Sequence, residues 1–301
     1  MIRYDYAPEQ IEAAVNALDG QWRVRAAERT KAIVKKKRFD ESSSIWSDVK
    51  PVFIALQNRK CIFCERQFES AEYGRIEHDL EHFRPKSAVK PWPPRNWATT
   101  YTISTGAESP AGYYWLAYDL GNYAAACKVC NSPLKADHFP IADKRVTTKR
   151  TIARLQEEMP YLCYPIGRYD DPPESLVTFI ATTAVPAARS GHRKLRGEVI
   201  IDFFQLNVRE QLHRERARLI ALLGGTLKFI DAGIDVAQNQ RVAAGLVEPH
   251  IPHTSCLRAY RKLWDDDNQL ARRAHSRCQE YAISMEGAKP PAGVTERDES
   301  A

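Results

Sequence analysis

Nowhere in the chain is there an apolar run approaching the roughly 20 residues that a membrane-spanning helix needs. The opening stretch, MIRYDYAPEQIEAAV, lacks the apolar middle of a secretory leader, so a cytoplasmic location is expected. There is no internal repeat, and no shortage of apolar residues of the kind that keeps a chain disordered: 44% hydrophobic and 27% charged are ordinary for a folded protein. A length of 301 residues allows one large core or two smaller ones. The 7 cysteines cannot all pair, and in a reducing compartment closely spaced pairs point to metal rather than to disulfides. The formal net charge of +6 favours an anionic partner, as supporting weight only.

Periodicity predicts helix over residues 7 to 38, where Ile11, Ala14, Val15 and Leu18 recur at helical spacing and the basic run Lys35 to Arg38 follows. A short helix is expected from Trp46 to Leu56. Prolines 91, 93 and 94 forbid a regular helix, and residues 87 to 112 read as a long loop. Its Trp92, Trp97 and Tyr101 suit packing better than base stacking. Helix is expected to start at Cys130 and run towards His138, and again over 145 to 158; 160 to 191 reads as irregular with a strand at Leu176 to Ala181. A long helical region over 192 to 225 carries Asn207 as a break or cap, and the polar tail from Glu286 reads as disordered.

Two Cys-x-x-Cys pairs, Cys61 with Cys64 and Cys127 with Cys130, have the spacing at which a tight turn brings two sulfurs to one ion. Together they predict a structural zinc site with four thiolates. Between them lies Glu81-His82 in the string IEHDLEHFRPKS, an oxygen ligand beside an imidazole, and phosphodiester hydrolysis needs both a hard cation and a base. Asn131 directly follows Cys130, so the zinc knot would aim its amide oxygen at the cation held by Glu81. Hard oxygen donors suit magnesium or manganese better than a second zinc. Asn122 lies just ahead of the second knuckle, placed to hold the loop that presents His82.

The order Cys61, Cys64, Glu81, His82, Asn122, Cys127, Cys130, Asn131 and Lys135 resembles the HNH nuclease family in its zinc-bearing, asparagine-terminated form. Longer strings, CIFCE, EHFRPKS, YYWLAYDLGNYAAACKVCNSPLKADHFP, YPIGRYDDPPESLVTF and QLNVREQLHRERARL, resemble the PtuB-type HNH proteins of Septu and related retron anti-phage systems. The likeness runs over roughly residues 60 to 220. It implies a ββα-metal HNH core with zinc knuckles over 58 to 150, and the helical periodicity on both sides then makes an α+β, mostly helical chain: an N-terminal helical segment over 1 to 57, a C-terminal mainly helical region over 151 to 285, and the tail 286 to 301, with the first 55 residues and the tail outside the likeness. It further implies a nuclease acting on DNA rather than RNA, beside a PtuA-like ATPase, with Glu81 and Asn131 on the catalytic metal, His82 as general base and Asn122 as its orienter. The alternative is a non-catalytic zinc module that binds nucleic acid or protein. One departure stands out: the family's usual metal ligand before the histidine is Asp, and Glu81 is longer. A second pair, Glu77-His78, competes, though FRPKS follows His82. Arg84, Lys86 and Lys135 are candidate phosphate contacts, His138 a further candidate ligand, and Cys163, Cys256 and Cys278 read as core residues.

Overall fold

The computed structural model describes residues 1–69, 78–95, 97, 99 and 101–291, and two compact units emerge from it. The first comprises residues 3–63 and 68–173; the second comprises 174–301 with the short pieces 1–2 and 64–67. Helices dominate among the described residues, and the strands form two small antiparallel pairs, so the chain is α+β. No described helix is long and apolar enough to cross a membrane.

In the first unit the predicted N-terminal helix is two. Helix α1 (Pro8–Leu18) starts with proline where the missing N–H costs nothing, while the Gln10 side chain accepts from the Ala7 N–H at 2.8 Å. Helix α2 (Trp22–Lys36) ends on a left-handed Lys37, with Lys35 and Lys36 suiting the negative end of the helix dipole. Helix α3 (Lys50–Leu56) buries Val52, Phe53 and Ile54. Strand β1 (His78–His82) pairs antiparallel with β2 (Tyr123–Cys127), His78 opposite Cys127 and His82 opposite Tyr123. All five β2 residues are buried, and its three alanines leave room for neighbours on both faces. Gln57 closes the outer edge of β2 by mimicking a strand: its amide donates to the Ala125 carbonyl at 2.8 Å and accepts from the Ala125 N–H at 2.7 Å. Trp22 and Phe53 meet Tyr123 edge-on at 6.3 and 5.7 Å, which anchors α2 and α3 to this strand.

Two local expectations give way here. After Cys130 the chain makes a six-residue π turn, Cys130–Lys135, rather than a continuing helix, because Pro133 removes a donor inside it and Ala136 follows at φ 41°. In 145 to 158 only Arg154–Glu158 is helical, as a 3-10 turn; Val146 is instead drawn out so that its N–H donates to Glu158 at 2.6 Å. The 87 to 112 segment is a loop where described, and Trp92 is buried against Trp97 and Tyr101 at centroid distances of 6.1 and 4.8 Å, as packing requires.

In the second unit, strands β3 (Val177–Ile180) and β4 (Thr183–Pro186) form a hairpin, so the irregular segment holds two strands where one was expected. The long helical region divides into α4 (Gly191–Phe203) and α5 (Glu210–Asp231). Asn207 sits in the break, but it serves the hairpin rather than capping a helix: its amide accepts from the Ala184 N–H and donates to the Ala184 carbonyl, both at 2.8 Å. Helices α6 (Val236–Gly245), α7 (Thr254–Asp266) and α8 (Asn268–Ile283) complete the unit around Ile220, Leu223, Leu257, Tyr260 and Cys278. A Cβ on Gly224 would lie 2.3 Å from the His275 ring and 2.6 Å from the Tyr260 hydroxyl, so glycine is what lets α5 approach so closely. Tail residues 292–301 lie outside the described residues.

The first unit also buries an ion pair. Arg84 meets the Glu158 carboxylate, donates to the Leu155 carbonyl at 2.8 Å and lies over the Phe139 ring at 4.6 Å, while Tyr113 donates to Glu158 at 2.9 Å. With Arg84 only 2% and Glu158 0% exposed, losing one partner strands a buried charge. Arg84→Ala is expected to cost about 3–5 kcal/mol in urea unfolding, and an Arg84→Met, Glu158→Leu double substitution to recover most of it.

Candidate functional site

The sulfur atoms of Cys61, Cys64, Cys127 and Cys130 all lie within 4.8 Å of one another and all four residues are buried. A zinc ion with four sulfurs at roughly 2.3 Å separates them by roughly 3.8 Å, so the cluster is sized for that ion. Cys127 closes β2 and Cys130 opens the π turn, and the Cys127 N–H donates to the Cys61 sulfur at 3.3 Å. Soft donors, tetrahedral count and exclusion of water make this a metal site fit for zinc.

Across β1 from this cluster lies an open cavity of about 440 Å³ bounded by Trp46, Asp79, Glu81, His82, Lys86 and Asn131 among others. Alternation along β1 puts Asp79 and Glu81 on one face. Glu81 is buried, and its carboxyl is pushed up from the usual range by lost hydration, with Lys135 opposing that shift through an ion pair of 2.6 Å. Asn131 reaches the neighbouring Asp79 from the π turn, its amide nitrogen donating to that carboxylate at 3.0 Å. Lys128 pairs with Asp79 from the other side at 2.7 Å. Three oxygen-bearing side chains, from positions 79, 81 and 131, therefore share one cavity wall, a donor set that suits a hard divalent cation.

His82 nitrogen Nε2 lies 3.0 Å from the carbonyl of Ala117. A carbonyl only accepts, so Nε2 must carry the proton, and in the neutral ring Nδ1 is left with a free lone pair. Burial holds the imidazole well below its usual pKa, with the charges of Lys86 and Lys135 adding to the effect, and the Ala117 contact offsets only part. The ring is therefore neutral at physiological pH. Trp46 stands edge-on to it at 4.9 Å and Tyr123 at 5.1 Å, fixing its plane. Asn122 is fully engaged behind it: Oδ1 accepts from the Arg84 N–H at 2.8 Å, and Nδ2 donates to the carbonyls of Arg84 at 3.0 Å and Leu116 at 3.3 Å. That side chain stitches the segment leaving His82 to the turn that carries Ala117.

The remaining candidates are dispersed. Lys86 lines the cavity with its ammonium over the Trp46 ring at 4.6 Å, and burial pulls its pKa down. Phosphate contact does not suit Arg84, spent on Glu158, or Lys135, which is 0% exposed and holds both Glu81 and, at 3.2 Å, the His82 carbonyl. His138 bridges to Lys90 and does not line the cavity. His78 is fully buried, stacked on Phe68 at 4.2 Å, while its companion Glu77 lies outside the described residues. Cys163, Cys256 and Cys278 are buried, as core residues are, and none belongs to the four-cysteine cluster. Asp79 escaped the sequence reading, although the alternation Asp79-x-Glu81 at a strand end would have revealed it.

Over 196 residues, 65% of this chain, the sequence is 30% identical to Septu protein PtuB of Bacillus mycoides (strain KBAB4). Over that stretch the chain is similar to PtuB. The match covers 58% of that relative's length, less than two thirds of it. No protein-family model and no solved structure matches the chain.

Protein purified without added metal is expected to carry one zinc ion per chain by inductively coupled plasma mass spectrometry. Cys127→Ser should abolish the zinc and lower the melting temperature, because binding energy of a structural zinc site is folding energy. Zinc retained at full occupancy in that variant would contradict the assignment.

Proposed function

We propose that this chain is a metal-dependent nuclease of the HNH, ββα-metal kind, acting on DNA as the effector of a Septu-like anti-phage system beside a PtuA-like ATPase. One observation carries the reading: His82 is locked by a backbone carbonyl into the tautomer whose other nitrogen can accept a proton, in a cavity that also holds Asp79, Glu81 and Asn131. The similarity to PtuB supports the defence role, and the order of strand, strand and turn around four cysteines supports the HNH assignment. A zinc-binding adaptor would need neither the oriented base nor the oxygen donors.

Glu81 and Asn131, with Asp79 beside them, would hold magnesium or manganese. When bound, that cation polarises the phosphodiester and stabilises the departing 3′ oxygen. The protein's part is proton handling and placement. Neutral His82 takes a proton from water at Nδ1, and the water attacks phosphorus while the P–O3′ bond breaks, leaving 5′-phosphate ends. The imidazolium formed is stabilised by the Ala117 carbonyl, which the Nε2 proton already faces. Lys135 fixes the acid and the base relative to each other by holding the Glu81 carboxylate and the His82 carbonyl together. Lys86, at the cavity wall, is the cation best placed to meet the substrate's phosphate.

The test is magnesium-dependent digestion of plasmid, single-stranded DNA and tRNA by wild type and His82→Ala side by side. His82→Ala should lose about 10²–10⁴-fold in rate with zinc content and melting temperature preserved. Undiminished cleavage by that variant would remove His82 as the base, and no cleavage of any substrate by wild type would remove the enzyme reading.

A further inference from the structure

A second cavity in the first unit, about 500 Å³ in volume, has no part in the site above. Its size falls in the range of small-molecule sites, roughly 300–1,000 Å³. Trp115, Tyr118, Tyr164 and Tyr169 contribute aromatic walls. The polar tips of three are already spent: the Trp115 N–H donates to the Arg150 carbonyl at 3.1 Å, Tyr164 donates to the Tyr123 carbonyl at 2.7 Å, and Tyr118 donates to Glu41. With those tips engaged and Trp115, Tyr118 and Tyr164 themselves buried, the wall presents ring carbon, most openly at the partly exposed Tyr169, which suits the face of a flat aromatic ligand.

Two carboxylates line that space: Glu12, already paired with Arg23 at 2.8 Å, and Asp119. Asp119 uses Oδ1 to accept from the Gly121 N–H at 2.9 Å, and its other oxygen meets no hydrogen-bond partner among the described residues. Gly121 leaves the carboxylate uncovered, since a Cβ there would lie 3.3 Å from Oδ1 and 2.6 Å from Ile152. Burial pushes this carboxyl up from its usual range, so it gains from a ligand that donates hydrogen bonds. At the rim Lys31 and Lys149 are exposed and make no ion pair among the described residues.

We infer that this cavity is a guanine-nucleotide site, with the base between the aromatic walls, the Asp119 carboxylate accepting from it, and Lys31 and Lys149 meeting the phosphates. Guanine alone among the common bases presents two adjacent donors, N1–H and the N2 amino group, to a carboxylate. Adenine presents a donor beside an acceptor, and the uracil N3–H lies between two carbonyls that a carboxylate would repel. The turn forming this wall, residues 115 to 121, includes Ala117, whose carbonyl seats His82, so the occupant would rest on the backbone behind the base.

Titration calorimetry of the full-length protein with GMP, GTP, AMP and ATP tests the inference without reference to cleavage. Guanine nucleotides should bind about tenfold or more tightly than adenine nucleotides, and GTP more tightly than GMP. Asp119→Asn keeps the acceptor for Gly121 and should fold, but should lose that preference; Lys149→Ala should weaken GTP more than GMP. No binding of GMP or GTP, equal affinity for the two bases, or an unchanged preference in a folded Asp119→Asn protein would each overturn it.

Discussion

Four thiols crowded within 4.8 Å in a dry interior cannot ionise together unless a cation neutralises them. That constraint governs the corner at the end of β2. Cys127 is the last residue of β2 and Cys130 the first of the π turn, so gripping them fixes the corner from which Asn131 departs. Through the β1–β2 ladder the same corner sets the height of Glu81 and His82, which lie opposite Ala124 and Tyr123. A zinc ion in the cluster would have no chemistry to perform. It would hold in register Asn131 with Glu81 and His82, which lie about 50 positions earlier in the chain.

The positive charge of the chain has two uses. Part of it is internal: Arg84 balances Glu158, Lys135 balances Glu81, and Arg216 lies buried over the Phe179 ring while donating to the carbonyls of Thr182 and Leu206, each at 2.9 Å. Burial lowers the Arg216 pKa, yet a guanidinium starts so high that it stays charged. These cations are structural and do not advertise an anionic partner. Other cations, among them Lys35 to Arg38 and Lys86, are outward or at the cavity wall, and Lys86 also lies over Phe39, the residue that follows the basic run, at 5.2 Å.

Metal-binding cysteines were legible in the sequence because coordination chemistry imposes a local spacing, two residues between sulfurs, that survives without knowledge of the fold. The helices were legible where one face is apolar, as in α1. Strand β2 was not. Its string YAAAC has no alternation to read, because both faces are buried and the alanines are chosen for size rather than for strand propensity. The roles of Arg84 and Lys135 were hidden for another reason: the partner of a buried cation, Glu158 in one case and Glu81 in the other, lies 74 or 54 positions away, and only the fold supplies it. Basic residues beside a catalytic motif look alike in sequence whether they face phosphate or carboxylate.

The choice between the two histidines of β1 shows what the fold adds to a motif. His78 and His82 both follow a glutamate, and four positions apart on a strand they face the same side. What separates them is their backing. The His78 ring lies flat on Phe68, at an interplanar angle of 10°, next to the cysteine cluster that its partner Cys127 enters, and it has no place on the cavity wall. The His82 ring has one nitrogen on a carbonyl, two aromatic edges against its sides and a place on the wall of the cavity that Asp79, Glu81 and Asn131 also line. A base must both be held and be reachable, and of the two only His82 meets both conditions. The asymmetry arises at the far side of the strand pair, where Asn122 ties the turn carrying Ala117 to the backbone of Arg84. An asparagine that does not line the cavity thus bears on which imidazole is both held and reachable.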